Sequence, residues 1–454
     1  MTFRQFLALS ALAIAPTRGM AQATRVTVLF TIDTLPNGLT LIVHEDHSVP
    51  IVTTNVWFHV GSGDEKVGRT GFAHLFEHLM FMGSEHAPYP QFDRLLEAAG
   101  ADNNGSTTED RTNYYEEGPS SALKLMLWLE ADRLGWLLPT MDRPKVDLQR
   151  DVVKNERRQS YENQPYGLVG DYSPKLMYPP GHPYSWPVIG SMADLSAASV
   201  DDVKDFFRRY YAPNNATIVV AGDVKAAEVR AIVREYFSAV PRGPAIERPS
   251  PAPFVVRDTA VTLEDRVQLA RLYLNWHTVK STASDAPALQ VAAYILAGSR
   301  TARLTQALVY SGEIATQVQA YNDAKRLDGD FNIIATARPG VGLDTLQAVV
   351  DRNIERLVRE GPSARELDQA RNAIEASFLR AIQTVSGKAD QLNEYYYQTG
   401  NPDGFQDDLD KLRGVSAADV QRVMRNYLQA PRVMISVVPQ GKQSLAATRK
   451  AVTP

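Results

Sequence analysis

Three side chains within five residues carry the clearest chemistry in this chain. They are His74, Glu77 and His78, in the run Gly71-Phe-Ala-His-Leu-Phe-Glu-His-Leu-Met-Phe81. On a helix, residues four apart share a face, so both imidazoles can reach one cation. Neutral imidazole pairs suit zinc, and a carboxylate beside them that is not itself a ligand suits general-base activation of water. The flanking Phe72, Ala73, Leu75, Phe76, Leu79, Met80 and Phe81 are mostly apolar. Two imidazoles and a carboxylate on a largely buried helix would be costly without a partner, which favours metal binding over a solvated face.

A catalytic zinc site wants three protein ligands and one open position. Spacing alone does not choose the third. Glu85, Glu109, Glu116, Glu130 and Glu156 are all candidates, and Glu156 is preferred because it sits on a predicted helix whose Val152 and Val153 can pack inward.

The elements that must hold these groups can be read from pattern. Val26 to His44 alternates like strands around Leu35-Pro-Asn-Gly-Leu39, a hairpin signal, and Val52 to Val60 continues as a strand. Gly71 to Met82, Tyr89 to Ala99, Ser121 to Leu137 and Pro144 to Tyr161 read as helices, and Asn104 to Tyr115 as a strand at a sheet edge. Pro241 to Phe254 holds five prolines in fourteen residues and reads as an extended linker. The two sides echo each other. Leu195-Ser-Ala-Ala-Ser-Val200, Tyr211-Ala-Pro213 and Ile218 to Val220 match Val415-Ser-Ala-Ala-Asp-Val420, Tyr427, Pro431 and Met434 to Val438, about 220 residues later. The expected fold is α+β, with two homologous domains, each a mostly antiparallel sheet packed by helices. The expected boundaries are 24–240 for the first domain, 241–254 for the linker and 255–454 for the second.

Met1 to Ala23 reads as a secretory signal peptide, with Arg4 ahead of an apolar run, Phe6 to Ala15, and Ala21-Gln-Ala23 as the cleavage site. A periplasmic or secreted protein is the expectation. The 48 Lys and Arg against 52 Asp and Glu argue against a mainly nucleic-acid-binding role, and no further long apolar run suggests a membrane span. With no cysteine, thiolate zinc sites, disulfides and cysteine nucleophiles are excluded. His44, His47, His59, His86, His182 and His277 are scattered and assigned to no metal; Tyr114-Tyr115 and Tyr395-Tyr-Tyr397 are read as packing aromatics, and Arg157-Arg158 as a solvated helix face or salt-bridge donor rather than an anion site.

Taken together, the chain resembles the pitrilysin/insulinase family of zinc metallopeptidases, whose His-x-x-Glu-His is the inverzincin motif. The resemblance rests also on Leu35-Pro-Asn-Gly-Leu39, Gly61-Ser-Gly-Asp-Glu65, Gly100-Ala-Asp-Asn-Asn-Gly-Ser-Thr107, Arg150-Asp-Val-Val-Lys-Asn-Glu156, and His182-Pro-Tyr184 through Gly190. It is closest to short, two-domain bacterial and mitochondrial-processing-peptidase-like members. The resemblance implies one zinc ion held by His74, His78 and Glu156, with Glu77 activating the attacking water. It implies that Asn104, Gly105, Ser106 and Thr107 pair with substrate main chain. A supporting glutamate of many relatives is replaced here by Gln149, beside the ligand set.

A second departure concerns partners. Active relatives also use an Arg and a Tyr from the non-zinc half; aligned on Arg303-Leu304, these positions hold Val309 and Thr316. The implied protein is a zinc metalloendopeptidase of peptides or unfolded polypeptides that needs a homologous partner subunit supplying the pair, with a homodimer also possible. The alternative is a zinc-holding, peptide-binding or scaffold subunit with negligible turnover.

Overall fold

The computed structural model describes residues 25–448, so the predicted signal peptide lies outside the described residues. The first half builds a six-stranded sheet from β1 (Thr31–Thr34), β2 (Thr40–Glu45), β3 (Ile51–Phe58), β4 (Asp102–Thr107), β5 (Thr112–Pro119) and β6 (Ala216–Gly222), in the order β1-β2-β6-β3-β5-β4. The second half builds a five-stranded sheet from β7 (Thr259–Asp265), β8 (Arg271–Thr278), β9 (Ala315–Ala324), β10 (Gly329–Ala337) and β11 (Val433–Pro439), in the order β7-β11-β8-β10-β9. Each sheet has one parallel pair, β2 with β6 and β7 with β11, and is otherwise antiparallel. The molecule is therefore two α+β units of matching topology.

Local chemistry explains most of the elements. The Asn-Gly turn closes β1 on β2: Gly38 adopts φ +95° and its N–H donates to Leu35 O at 2.8 Å. Ser199 caps the helix Val200–Tyr210 in a reciprocal box with Asp202, and Ser416 caps Ala417–Leu428 with Asp419. The repeated motif thus starts its helix one turn later in the first copy. A capping box needs an acid three residues on, and the residue three after Ser196 is Ser199.

One expected strand is a hairpin instead. Residues 104–115 span β4, a turn at 108–111 and β5, and β4 lies at the free edge of its sheet. The turn contains neither Gly nor Asn. Thr108 makes it, its hydroxyl accepting from the N–H groups of Asp110 and Arg111, both at 3.2 Å.

The halves cover each other. The helix Val385–Thr399, from the second half, packs on β3 and β6, where Val385, Ala389, Leu392 and Tyr395 meet Ile42, Val219 and Ala221. The helix Val169–Met177, from the first half, packs on β8 and β11, where Val169 and Met177 meet Tyr273, Val433, Ile435 and Val437. Residues 241–258 carry no regular secondary structure but are pinned, with Arg248 donating to His59 O and Asn215 and pairing with Asp64.

The turn between β4 and β5 meets the turn between β9 and β10. The Asp110 carboxylate accepts from Tyr184 Oη at 2.5 Å and from Arg326 N at 2.9 Å. Asp328 accepts from His182 at 3.1 Å and His277 at 2.8 Å. No helix among the described residues is long and apolar enough to cross a membrane.

Candidate metal centre

The motif helix is short, Phe72–Leu79, and everything around it fixes its rotation. Phe72, Ala73, Leu75, Phe76 and Leu79 are buried in the core, which turns His74, Glu77 and His78 toward the other, half-buried face. Gly71 precedes the helix at φ +86°, and a Cβ there would lie 2.5 Å from Ile189 O, so only glycine fits. Glu65 caps the N-terminus: its carboxylate accepts from Gly71 N at 2.9 Å and Ala73 N at 2.7 Å. Burial pushes the Glu65 carboxyl well above its usual range, opposed by those backbone hydrogen bonds.

Glu156 comes from the last turn of Arg143–Arg157, a helix started by Asp142, whose carboxylate accepts from Lys145 N, and by Pro144 in the first turn. Its Oε1 lies 3.7 Å from His74 Nε2 and its Oε2 lies 3.3 Å from His78 Nε2. The two rings stand nearly perpendicular, centroids 4.9 Å apart at 85°. One ligand atom from each residue falls within 4.8 Å of the others, and this is the one such group of three found among the described residues.

The electrostatics suit a cation. Burial lowers the His74 pKa to about 4, so its imidazole is neutral and available as a ligand near neutrality. Hydrogen bonding to His78 lowers the Glu156 carboxyl, keeping it anionic. Burial raises Glu77, moving it toward the range of a useful general base. Three converging nitrogen and oxygen donors, with a carboxylate alongside, fit zinc in an open, catalytic-type site.

The other candidate ligands are committed elsewhere or lie apart. Glu116 and Glu130 both pair with Arg133, whose guanidinium lies beneath the rings of Phe81, Phe92 and Tyr114. Glu109 sits in the turn between β4 and β5, and Glu85 follows the motif helix without joining the cluster. Gln149 donates to Met82 Sδ at 2.8 Å, facing that thioether rather than a ligand.

The four residues expected to meet substrate lie along β4. Among the described residues no strand pairs with its outer edge, where a further strand could be added once the Gly105 N–H is released from Asn104, and the side chains of Ser106 and Thr107 are used within the protein. Ser106 donates to Asn113 Oδ1 at 2.7 Å, Asn104 Oδ1 accepts from Gly105 N at 2.8 Å, and Thr107 donates to Glu77 Oε2 at 2.5 Å.

In the second half, Val309 lies in a π-helical turn, Thr305–Tyr310, and Thr316 is exposed in β9 with its hydroxyl donating to Thr336 O at 3.3 Å. Neither offers a charge or a phenol. Arg303 is no substitute, being paired with Glu366 at 2.7 Å and hydrogen-bonded to Gly361 O.

Sequence reasoning gave Glu65 no role and left Arg157 between a solvated face and a salt-bridge donor. Arg157 proves to be the salt-bridge donor, and a buried one: it donates to Gly190 O at 2.9 Å, pairs with Asp171 at 3.1 Å, and stacks on Tyr161. The signal was available, since Val146, Val153 and Arg157 share one buried helix face.

Known proteins resemble this arrangement. The family profile described as "Insulinase (Peptidase family M16)" matches residues 40–178, and "Peptidase M16 inactive domain" matches residues 197–374. The zinc protease PqqE of Helicobacter pylori is 27% identical over 405 residues, covering 87% of this chain and 89% of that protein. A probable mitochondrial-processing peptidase subunit beta of Arabidopsis thaliana is 24% identical over 433 residues, covering 92% and 78%. The crystal structure of a protease from Helicobacter pylori superposes with a TM-score of 0.84 at 25% identity, covering 91% of this chain and all of that one.

Proposed function

Because this chain belongs to the insulinase (peptidase M16) family and is a zinc metallopeptidase, we propose that it hydrolyses peptides or unfolded polypeptides at a centre formed by His74, His78 and Glu156, with Glu77 as general base. The observation that carries this reading is the gathering of the three ligand atoms within 4.8 Å, beside Glu77 and the free edge of β4. The chemistry that bound zinc supplies is Lewis-acid polarisation of the scissile carbonyl and of water. Glu77 takes a proton from the attacking water and returns it to the leaving amine. The edge of β4 takes the substrate as an added strand through main-chain hydrogen bonds, which tolerates many side chains.

A homologous partner subunit supplies the Arg and Tyr for which Val309 and Thr316 stand here. A single oxyanion donor is worth about a hundredfold or more in rate, so this half-site would turn over slowly alone. The same departure favours a second reading, a zinc-holding, peptide-binding subunit with negligible turnover. Residues 1–23 direct export to the periplasm or beyond.

The test is cleavage of unstructured peptides by the purified chain lacking residues 1–23, zinc-loaded, with and without chelator. Chelator-sensitive cleavage that Glu77→Gln abolishes supports the peptidase reading and overturns the partner requirement. Cleavage only after adding a homologous subunit that bears the Arg/Tyr pair supports both. A folded, zinc-loaded chain that stays silent with that subunit present leaves the binding reading standing.

A further inference from the structure

Thr107 ends β4, and its hydroxyl donates to Glu77 Oε2 at 2.5 Å. The hydroxyl has a second acceptor within reach, Thr112 Oγ1 at 3.5 Å, but a charge-assisted bond at the shorter distance wins. Thr112 is itself committed, donating to Val60 O at 2.9 Å from a fully buried position. Strand alternation puts Gly105 on the same face as Thr107, and there the strand lies directly against the base. A Cβ on Gly105 would stand 3.2 Å from Glu77 Cγ. Asn104 and Ser106 take the opposite face, where Ser106 bonds to Asn113.

We infer that Thr107 is a positioning residue for the general base. Its hydroxyl ties one carboxylate oxygen of Glu77 and leaves the other free to face the attacking water. The strand whose edge receives the substrate therefore also sets the orientation of the base, so peptide register and base position share one rigid element. The inference rests on Glu77 being the base and assigns Thr107, by its side chain, to the base rather than to the peptide.

The test compares Thr107→Val, which keeps the shape without the hydroxyl, with Thr107→Ser, which keeps the hydroxyl. Crystal structures of the zinc-loaded full-length variants read the position of Glu77 whether or not the chain turns over alone. The expectation is a Glu77 carboxylate moved by about 1 Å or more, or split between rotamers, in the Val variant, and held in the Ser variant. In the active preparation, kcat falls about tenfold or more in Thr107→Val with KM within about twofold, and Thr107→Ser restores most of the loss. A Glu77 carboxylate unmoved in Thr107→Val, or a loss confined to KM, overturns the inference. Glu77→Gln separates the two layers: if it cleaves at the normal rate, the base assignment fails, whatever Thr107 does.

Discussion

His78 Nε2 and Glu156 Oε2 lie 3.3 Å apart, although they come from different helices and are far separated in sequence. Two packing events bring them together. The motif helix buries its apolar face in the first-half core, and Arg143–Arg157 packs beside it through Val146 and Val153, leaving Glu156 facing the imidazoles.

Glu156→Gln should keep the fold and lose the metal. The side chain is partly exposed and its carboxylate supports no element end, so the thermal midpoint of the metal-free protein should stay within a degree or two. Zinc affinity should fall by about a hundredfold or more as an anionic ligand is replaced by a neutral amide. Titration with a competing chelator would measure it, and unchanged affinity would remove Glu156 from the ligand set.

Glu65→Ala should destabilise the motif helix itself. The change strands the N–H groups of Gly71 and Ala73, and losing such a cap costs about 1–2 kcal/mol. A lower denaturant midpoint together with weaker zinc retention is expected, because the helix that loosens carries His74 and His78, two of the three proposed ligands.

Acid should weaken the joint between the halves through Asp328. Burial alone would raise this carboxyl, but hydrogen bonds from His182 and His277 hold it at about 2, below an ordinary value of 3.8. A depressed carboxyl contributes stability that is present above its unfolded pKa and lost as pH falls through the folded one. The loss therefore runs between about pH 4 and pH 2. Its size is on the order of 1–2 kcal/mol once solvent screening is allowed for. Asp328→Asn should be less stable than the parent at pH 6, with the difference shrinking across that window. A difference independent of pH would show that the hydrogen bonds matter without the charge.

The halves should not fold separately. Residues 24–254 alone would expose Ile42, Val219 and Ala221, and residues 255–454 alone would expose Val433, Ile435 and Val437, faces now covered by the other half's helix. Each fragment should bind a hydrophobic dye and show non-cooperative melting, and mixing should restore a cooperative transition. Within the intact chain, Asn393→Ala should cost about 1–3 kcal/mol, because the buried side chain donates to Asn55 O across the joint.

Much of this was legible in residues close together in sequence. The His-x-x-Glu-His face, the Asn-Gly hairpin and the duplicated helix-to-strand motif depend on interactions within a few residues, so pattern reports them. The edge strand was legible as well, but its turn was not, because a threonine hydroxyl performs the turn that Gly or Asn usually signals. The sequence reading let both Val152 and Val153 pack inward, but only Val153 is buried and Val152 is 40% exposed; the 3.6-residue period places Val146, Val153 and Arg157 on one face and Val152 off it.

What the amino-acid order set by itself was a helix face carrying two imidazoles and a carboxylate, and a fold of two related α+β halves. The tertiary structure brought Glu156, the carboxylate already preferred on sequence, to the imidazoles, and it alone decided that Thr107 faces Glu77 and that each half lends a helix to the other's sheet. The physical reason is range. A helix or turn is written in spacings of two to four residues. The pairing of Glu156 with His78, or of Val385–Thr399 with β6, is selected by competition among apolar faces of similar composition, and that competition is settled only when the whole core packs.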